Sequence, residues 1–235
     1  EIAIIVKSKE KDRFFSLLGN GEKFGIDITY LIQDKPNGLA EAFIIAENFI
    51  GQSNVTLILG DNIFYGDALK NSLSEDFTRG AKIVCCKVND PERYGVAKIE
   101  GQKVIQIVEK PDEFISHFAV TGIYVYDNSV IKKSKSLSPS SRGELEITDL
   151  NNLFINEGTL QGSFLDSEMI WMDTGTFDSL HDASALVKAL QHRSGHLIGS
   201  PELVAYHNNW ISKDSLLVNL NSNNPYEESL LSSLD

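Results

Sequence analysis

Short unbroken apolar runs alternate with helically spaced apolar residues through the first half of the chain. Ile2-Ala-Ile-Ile-Val6 predicts a buried strand, Ser8 is placed to cap a helix through Leu18 that Gly19 would end, and residues 27–32 predict a second strand. Leu39, Ala42, Phe43, Ala46 and Ile50 recur at helical spacing up to Gly51. Residues 55–59 form a solid apolar strand, Asp67 precedes helix signals as far as Phe77, and residues 81–88 are another continuous apolar strand. Strands apolar throughout are buried on both faces, so this rhythm predicts a mostly parallel sheet with helices on either side.

The second half adds antiparallel signals. Residues 96–99 and 103–108 flank Glu100-Gly101-Gln102 as a hairpin, 119–126 reads as a strand, and Ile147–Asn156 as a helix. Strands at 159–165 and 169–172 follow, then a long helix marked by Leu180, Ala183, Val187 and Leu190 and ended near Gly195. From Pro201 onward strand signals vanish, while Asn224-Pro225 and Ser212 read as helix starts. The expected organisation is a Rossmann-like α/β core over residues 1–195, with a mixed, mostly parallel sheet, and a small helical region over 196–235. There is no internal repeat, and no run approaches the roughly 18 apolar residues of a membrane span.

With 42% apolar and 23% charged residues in 235, the chain can bury a sizeable core. Its 21 Lys and Arg against 33 Asp and Glu leave a net charge of −12, which repels nucleic-acid backbones and anionic lipid. An anionic small molecule would therefore need a few local cations or a bound metal. Cys85 and Cys86 are adjacent in an apolar run and point to opposite faces of a strand, so they read as buried free thiols of a reducing compartment. The five histidines share no metal spacing, and neither Gly-x-Ser-x-Gly nor Cys-x-x-Cys occurs.

In open α/β sheets ligands gather beyond the carboxyl ends of strands. Asp61 stands just past one such end in Leu59-Gly60-Asp61-Asn62, and Asp173 repeats the pattern in Trp171-Met172-Asp173-Thr174-Gly175. Carboxylates there suit Mg²⁺, which usually keeps one or two of them beside waters and phosphate oxygens; taken singly, Asp61 also reads as a cap of the following turn. In Glu109-Lys110-Pro111 the proline biases Lys110 to an extended backbone that would aim its ammonium at a phosphate, against the plainer reading of a solvated lysine. Arg142 offers a guanidinium fork to the same anion, or a partner to Glu144 or Glu146. Gly95 would let a ligand approach the backbone, or serve only its turn. Gln33 and Gly38 bracket a loop where a glutamine amide reads a base edge or satisfies the loop.

Together these motifs resemble one family, the sugar-1-phosphate nucleotidylyltransferases, and most closely its thymidylyl-transferring members. The matching segments are Gln33-Asp-Lys-Pro-Asn-Gly-Leu-Ala-Glu-Ala-Phe43, Leu59-Gly-Asp-Asn-Ile-Phe-Tyr-Gly66, Asn89-Asp-Pro-Glu-Arg-Tyr-Gly-Val96, Glu109-Lys-Pro111, Ala119-Val-Thr-Gly-Ile-Tyr124, Arg142-Gly-Glu-Leu-Glu-Ile-Thr-Asp149 and Trp171-Met-Asp-Thr-Gly-Thr176. They keep the family's order and spacing over nearly the whole chain. The resemblance implies a single displacement in which glucose 1-phosphate attacks the α-phosphorus of dTTP and pyrophosphate leaves. In such chemistry the protein mainly positions groups and neutralises charge.

Carried over by motif, the resemblance implies that Asp61 and Asp173 hold Mg²⁺ and that Gln33 and Gly38 contact the thymine. It implies that Lys110 and Arg142 grip the sugar phosphate, that Asn62 contacts substrate, and that Tyr94, Gly95, Glu109 and Val120 line the glucose. It further implies a cytoplasmic homotetramer with no nucleic-acid or membrane partner. Product-type nucleotide sugars would act at a second site between subunits, which would include Tyr65 and Gly66 and draw on the helical tail.

The family also opens with a strand and a Gly-Gly-x-Gly-Thr-Arg-Leu loop, followed by a lysine on the substrate phosphates. Here Ile2–Val6 resembles the family's second parallel strand, and residues 7–13 after it hold no glycine. Roughly 30 residues, a βαβ unit's worth, are expected upstream, and the chain without them is expected to be inactive. Two other readings stand beside the leading one: a related UTP-using pyrophosphorylase, and a catalytically silent regulatory subunit that binds nucleotide sugar.

Overall fold

The computed structural model describes residues 1–74, 77–165, 169–218, 220 and 224–234. Its strands are β1 (Ile2–Val6), β2 (Ile28–Ile32), β3 (Val55–Ile58), β4 (Asn62–Tyr65), β5 (Ala81–Lys87), β6 (Gly95–Glu100), β7 (Lys103–Glu109), β8 (Phe118–Tyr126), β9 (Leu160–Phe164) and β10 (Ile170–Asp173). The helices are α1 (Lys11–Leu18), α2 (Glu41–Ile45), α3 (Glu47–Ile50), α4 (Ala68–Ser74), α5 (Ser129–Ser136), α6 (Ile147–Asn156), α7 (Phe177–Ser194), α8 (Pro201–His207), α9 (Lys213–Val218) and α10 (Pro225–Ser232). The apolar pattern anticipates most of these; β4 and α5 are the additions. The expected reach of α4 to Phe77 lies partly outside the described residues.

The chain divides into two compact units, Pro36–Leu180 and a second made of Glu1–Lys35 with His181–Asp235. This division does not fall at residue 195. The C-terminal helices pack within the second unit against its N-terminal part. The carbonyl of Trp210 closes on Gly25 (φ 67°), where a Cβ would overlap it. That contact ties the helical tail to the turn Glu22–Phe24 that precedes Gly25.

In Pro36–Leu180 the strands run β7-β6-β8-β5-β9, with β3 also hydrogen-bonded to β8. β4 and β10 form a separate antiparallel ribbon. The α/β class is the expected one, but the balance of strand directions is not. Among the described ladders of the chain only β1–β2 and β5–β9 are parallel, and the other five are antiparallel. A continuous apolar run records burial on both faces; it does not record which way the neighbouring strand runs.

Helices cover both faces of this sheet. On one, Leu69 and Leu73 of α4 pack on Val84 and Ile123. On the other, Phe43 of α2 and Phe154 of α6 meet the buried Tyr126 ring at centroid distances of 5.1 and 5.4 Å. Such aromatic pairs add about 0.5–1.5 kcal/mol each beyond their area burial. The Tyr126 hydroxyl donates to Asn151 Oδ1 at 2.6 Å, so this buried hydroxyl is paired. Cys85 and Cys86 are both buried and free, and burial pushes the Cys85 thiol up to about 12.

In the second unit β1 and β2 pair in parallel through α1, which ends at Gly19 with φ 61°. Ser8 does not cap that helix. Its N–H and hydroxyl both donate to Asp34 Oδ1, at 2.8 and 2.7 Å. Leu203, Leu216 and Leu230 of α8, α9 and α10 form a small core. Asn224 caps α10 as expected, accepting from the Glu227 N–H at 2.9 Å. No helix among the described residues is long and apolar enough to cross a membrane.

Candidate active site

The two carboxylates singled out by their strand ends meet at one end of the β4–β10 ribbon. β3 ends at Ile58, the chain turns through Gly60 and Asp61, and β4 begins at Asn62. The ribbon's register sets Asp173 opposite Asn62, and Thr174 donates to the Asp61 carbonyl from both its N–H (2.7 Å) and its hydroxyl (2.8 Å). The Asn62 amide organises the corner. Its Nδ2 donates to Asp61 Oδ1 at 2.8 Å, while its Oδ1 accepts from the Gly122 N–H at 2.9 Å and from Trp171 Nε1 at 2.7 Å.

Asp173 Oδ1 accepts from the Gly175 N–H at 3.0 Å. The other oxygen of each aspartate makes no hydrogen bond or ion pair with the described residues, and no third His, Cys, Asp or Glu joins them in a metal-binding group there. Two carboxylates with spare oxygens are too few for a closed zinc or calcium cage. They fit a hard cation such as Mg²⁺ that keeps waters and takes phosphate oxygens.

A cavity of about 270 Å³ lies against this corner, wholly within Pro36–Leu180. Asp61, Asn62, Tyr94, Gly95, Glu109, Lys110, Val120, Arg142 and Asp173, all named from the sequence, line it. Lys110 does not have the extended backbone that Pro111 suggests. Its φ is 42°, in the left-handed region, which costs a non-glycine residue roughly 1–2 kcal/mol. The Lys110 N–H donates to the Tyr94 carbonyl at 2.9 Å, one step beyond the last β6–β7 pair, Gly95 with Glu109, and this bond holds the turn.

Arg142 lines the cavity and is paired with glutamates. Its Nε and Nη2 donate to the two oxygens of Glu146 at 3.1 and 2.8 Å, with Glu109 and Glu144 at 3.8 and 3.9 Å from Nη2. The Glu146 hydrogen bonds, with the charges of Glu146, Glu109 and Glu144, hold the guanidinium above its ordinary value. Burial acts to raise the Glu146 carboxyl, but bonds from Arg142 and Ser140 and the charges of Arg142 and Lys110 outweigh it and hold the carboxyl low.

Glu109 Oε2 accepts from Thr148 Oγ1 at 2.9 Å, and a Cβ at Gly95 would come within 3.3 Å of the same oxygen. The glycine leaves that carboxylate accessible. Tyr94 and Trp171 stand with ring centroids 5.0 Å apart, and the Arg93 guanidinium lies 5.4 Å from the Tyr94 ring. Burial chiefly raises the Tyr94 phenol.

Four sequence-named residues do not line the cavity. Gln33 belongs to the other unit, where its N–H donates to the Val6 carbonyl at 3.0 Å. Gly38 (φ 103°) packs against the backbone of Leu145, whose N–H donates to the Asn37 carbonyl at 2.7 Å, and a Cβ there would overlap the Leu145 carbonyl. Tyr65 ends β4 three residues from Asn62, opposite Ile170, and Gly66 follows it with φ 127°. Conversely, Leu39, Arg93, Glu144, Glu146 and Trp171 line the cavity without having been named as substrate residues. All five lie inside or within two residues of a quoted motif, so the signal was present but their side-chain roles were not.

A model of the nucleotidyl transferase family matches residues 1–189. The chain belongs to the nucleotidyl transferase family. Among family members, a glucose-1-phosphate thymidylyltransferase of Neisseria meningitidis is 42% identical over 98% of this chain and 82% of its own length. One of Mycobacterium tuberculosis is 41% identical over 92% of this chain and 76% of its own. A solved Bacillus anthracis structure, assigned provisionally to the same enzyme and holding sucrose, superposes with a TM-score of 0.72 at 43% identity, covering 79% of this chain and 75% of that one. A UDP-glucose pyrophosphorylase in complex with UDP-glucose superposes at a TM-score of 0.69 with 19% identity over 80% of each chain, which shows a shared fold.

Proposed function

We propose that this nucleotidyltransferase moves a thymidylyl group from dTTP to glucose 1-phosphate, giving dTDP-glucose and pyrophosphate. The observation that carries the reading is the convergence of Asp61, Asp173, Lys110 and Arg142 on one cavity, in a chain whose relatives bear that enzyme's name. Asp61 and Asp173 would hold Mg²⁺, which when bound supplies positive charge at the reacting phosphates. Lys110 and Arg142 would bind the phosphate of the sugar substrate and keep its attacking oxygen in line. Glu109, tied by Thr148, would accept from a glucose hydroxyl beside Gly95 and Val120, and Asn62 would keep the Asp61 carboxylate in place. With no residue required to form a covalent bond, positioning and charge neutralisation account for the rate.

Gln33 and Gly38 belong to the same proposal as thymine contacts. So do a cytoplasmic homotetramer and a regulatory site that includes Tyr65, which is 37% exposed on β4 outside the cavity lining. The test uses the protein in its full native length and measures pyrophosphate release with glucose 1-phosphate and each nucleotide in turn. The expected order is dTTP first, UTP within the roughly 10–200-fold that one methyl group can discriminate, and ATP last. Equal rates with ATP and dTTP would refute the base assignment.

A further inference from the structure

We propose that Glu146, braced by Ser140, is a positioning residue that orients the Arg142 guanidinium for the phosphate of the sugar substrate; this rests on reading the cavity as a sugar-phosphate site. Arg142 sits in a turn and its side chain is 44% exposed, so no regular element fixes its rotamer and much of the side chain is open to solvent. An arginine free to wander must be ordered by the ligand itself, which weakens binding. Glu146 removes that freedom. Both of its oxygens accept from the guanidinium, from Nε at 3.1 Å and Nη2 at 2.8 Å, the two-point geometry that fixes the plane as well as the position.

Glu146 is itself anchored. Its side chain is 12% exposed, its backbone opens α6 at the N-cap, and Ser140 Oγ donates to its Oε1 at 2.7 Å. The arrangement divides the donors of Arg142. Nε and Nη2 are turned on Glu146, with Glu109 and Glu144 at longer range on Nη2, while Nη1 makes no hydrogen bond with the described residues. Arg142 lines the cavity together with Lys110. An anion entering there meets a guanidinium already held by Glu146, with Lys110 as a second cation lining the same cavity. The opposite role would make Glu146 a stand-in for the phosphate, displaced when substrate binds. The two roles predict changes of opposite sign.

The experiment uses the protein in its full native length and compares wild type, Glu146→Gln and Glu146→Asp. It measures steady-state kinetics with glucose 1-phosphate and dTTP varied separately, calorimetric binding of glucose 1-phosphate, and thermal midpoints. Glu146→Gln keeps the size but not the charge, and is expected to raise KM and Kd for glucose 1-phosphate roughly five- to tenfold. KM for dTTP should move less than about twofold and the midpoint by no more than about 2 °C. Glu146→Asp, still charged but one methylene short, should fall between Gln and wild type. An unchanged KM for glucose 1-phosphate overturns the proposal, and so does a lowered one, which would show Glu146 competing with substrate. A parallel rise in both KM values with a lowered midpoint overturns it as well, since that is the signature of general destabilisation. A wild type that neither binds nor turns over glucose 1-phosphate overturns the reading of the cavity itself, a result distinct from an active wild type with an unaffected Gln variant.

Discussion

Replacing Gly122 with alanine tests the joint on which the candidate metal corner depends. A Cβ at Gly122 would lie 2.6 Å from Cγ and Oδ1 of Asn62 and 2.8 Å from its Nδ2, about 1 Å inside ordinary contact distance. Gly122 is not among the glycines with positive φ, so the effect is one of space alone. The Asn62 amide cannot yield without loss, because its bonds to Asp61, Gly122 and Trp171 hold it from three sides. At about 1 kcal/mol each those bonds are together worth about 3 kcal/mol. Keeping Asn62 in place and straining β8 instead costs about 1–3 kcal/mol.

The chain relaxes along the cheaper path, so the expected loss is about 1–3 kcal/mol. At about 2–4 °C per kcal/mol for a chain of this size, the thermal midpoint should fall by about 2–12 °C. Activity should fall at least about tenfold, since either path shifts part of the cavity lining, Asn62 or the Val120 to Gly122 stretch of β8. The decisive measurement is a double-mutant cycle. In an Asn62→Ala background the overlap is gone, and Gly122→Ala should then cost less than about 0.5 kcal/mol. An equal loss in both backgrounds, or a single variant melting within about 1 °C of wild type, would refute the reasoning.

Asp61→Asn and Asp173→Asn should each lower turnover by on the order of 10²-fold while leaving the thermal midpoint in place, because Asp61 lies between β3 and β4 and Asp173 is the last residue of β10. Near-normal turnover of either variant at limiting Mg²⁺ removes that residue from the metal site. Asp127 accepts from the Gly80 N–H at 2.7 Å and from the N–H and hydroxyl of Ser129 at the start of α5. Burial acts to raise its carboxyl, but these bonds and the charge of Lys133 hold it below the ordinary 3.8. A carboxyl lowered on folding adds stability above its unfolded value that is lost as pH falls through the folded one. The stability gap between wild type and Asp127→Ala should therefore be constant from about pH 5 to 7 and shrink below pH 3.8, and a gap that widens in acid would contradict the assignment.

What the residues declare by themselves is local. Gly19 and Gly51 end their helices, and Asn224 caps α10 through the Glu227 N–H, because a cap uses groups only a few residues away. The apolar runs identify buried strands because burial on both faces leaves a mark on every position of the run. Asp61, Asp173 and Lys110 could be named because each stands in a short motif at the end of such a run, and Arg142 because it opens a motif after a polar stretch. Tertiary structure alone decides the rest. The antiparallel partners of β8 are set by which distant strand lies beside it, a choice its own residues do not encode. Asn62 becomes the hinge of the site only when Gly122 and Trp171 arrive from 60 and 109 residues away. The left-handed turn at Lys110 follows from the carbonyl of Tyr94 across the hairpin, which overrides the local preference imposed by Pro111. Residues 1–35 and the C-terminal helices share one unit because buried surface is satisfied by whatever folds against it, not by what is adjacent in the chain.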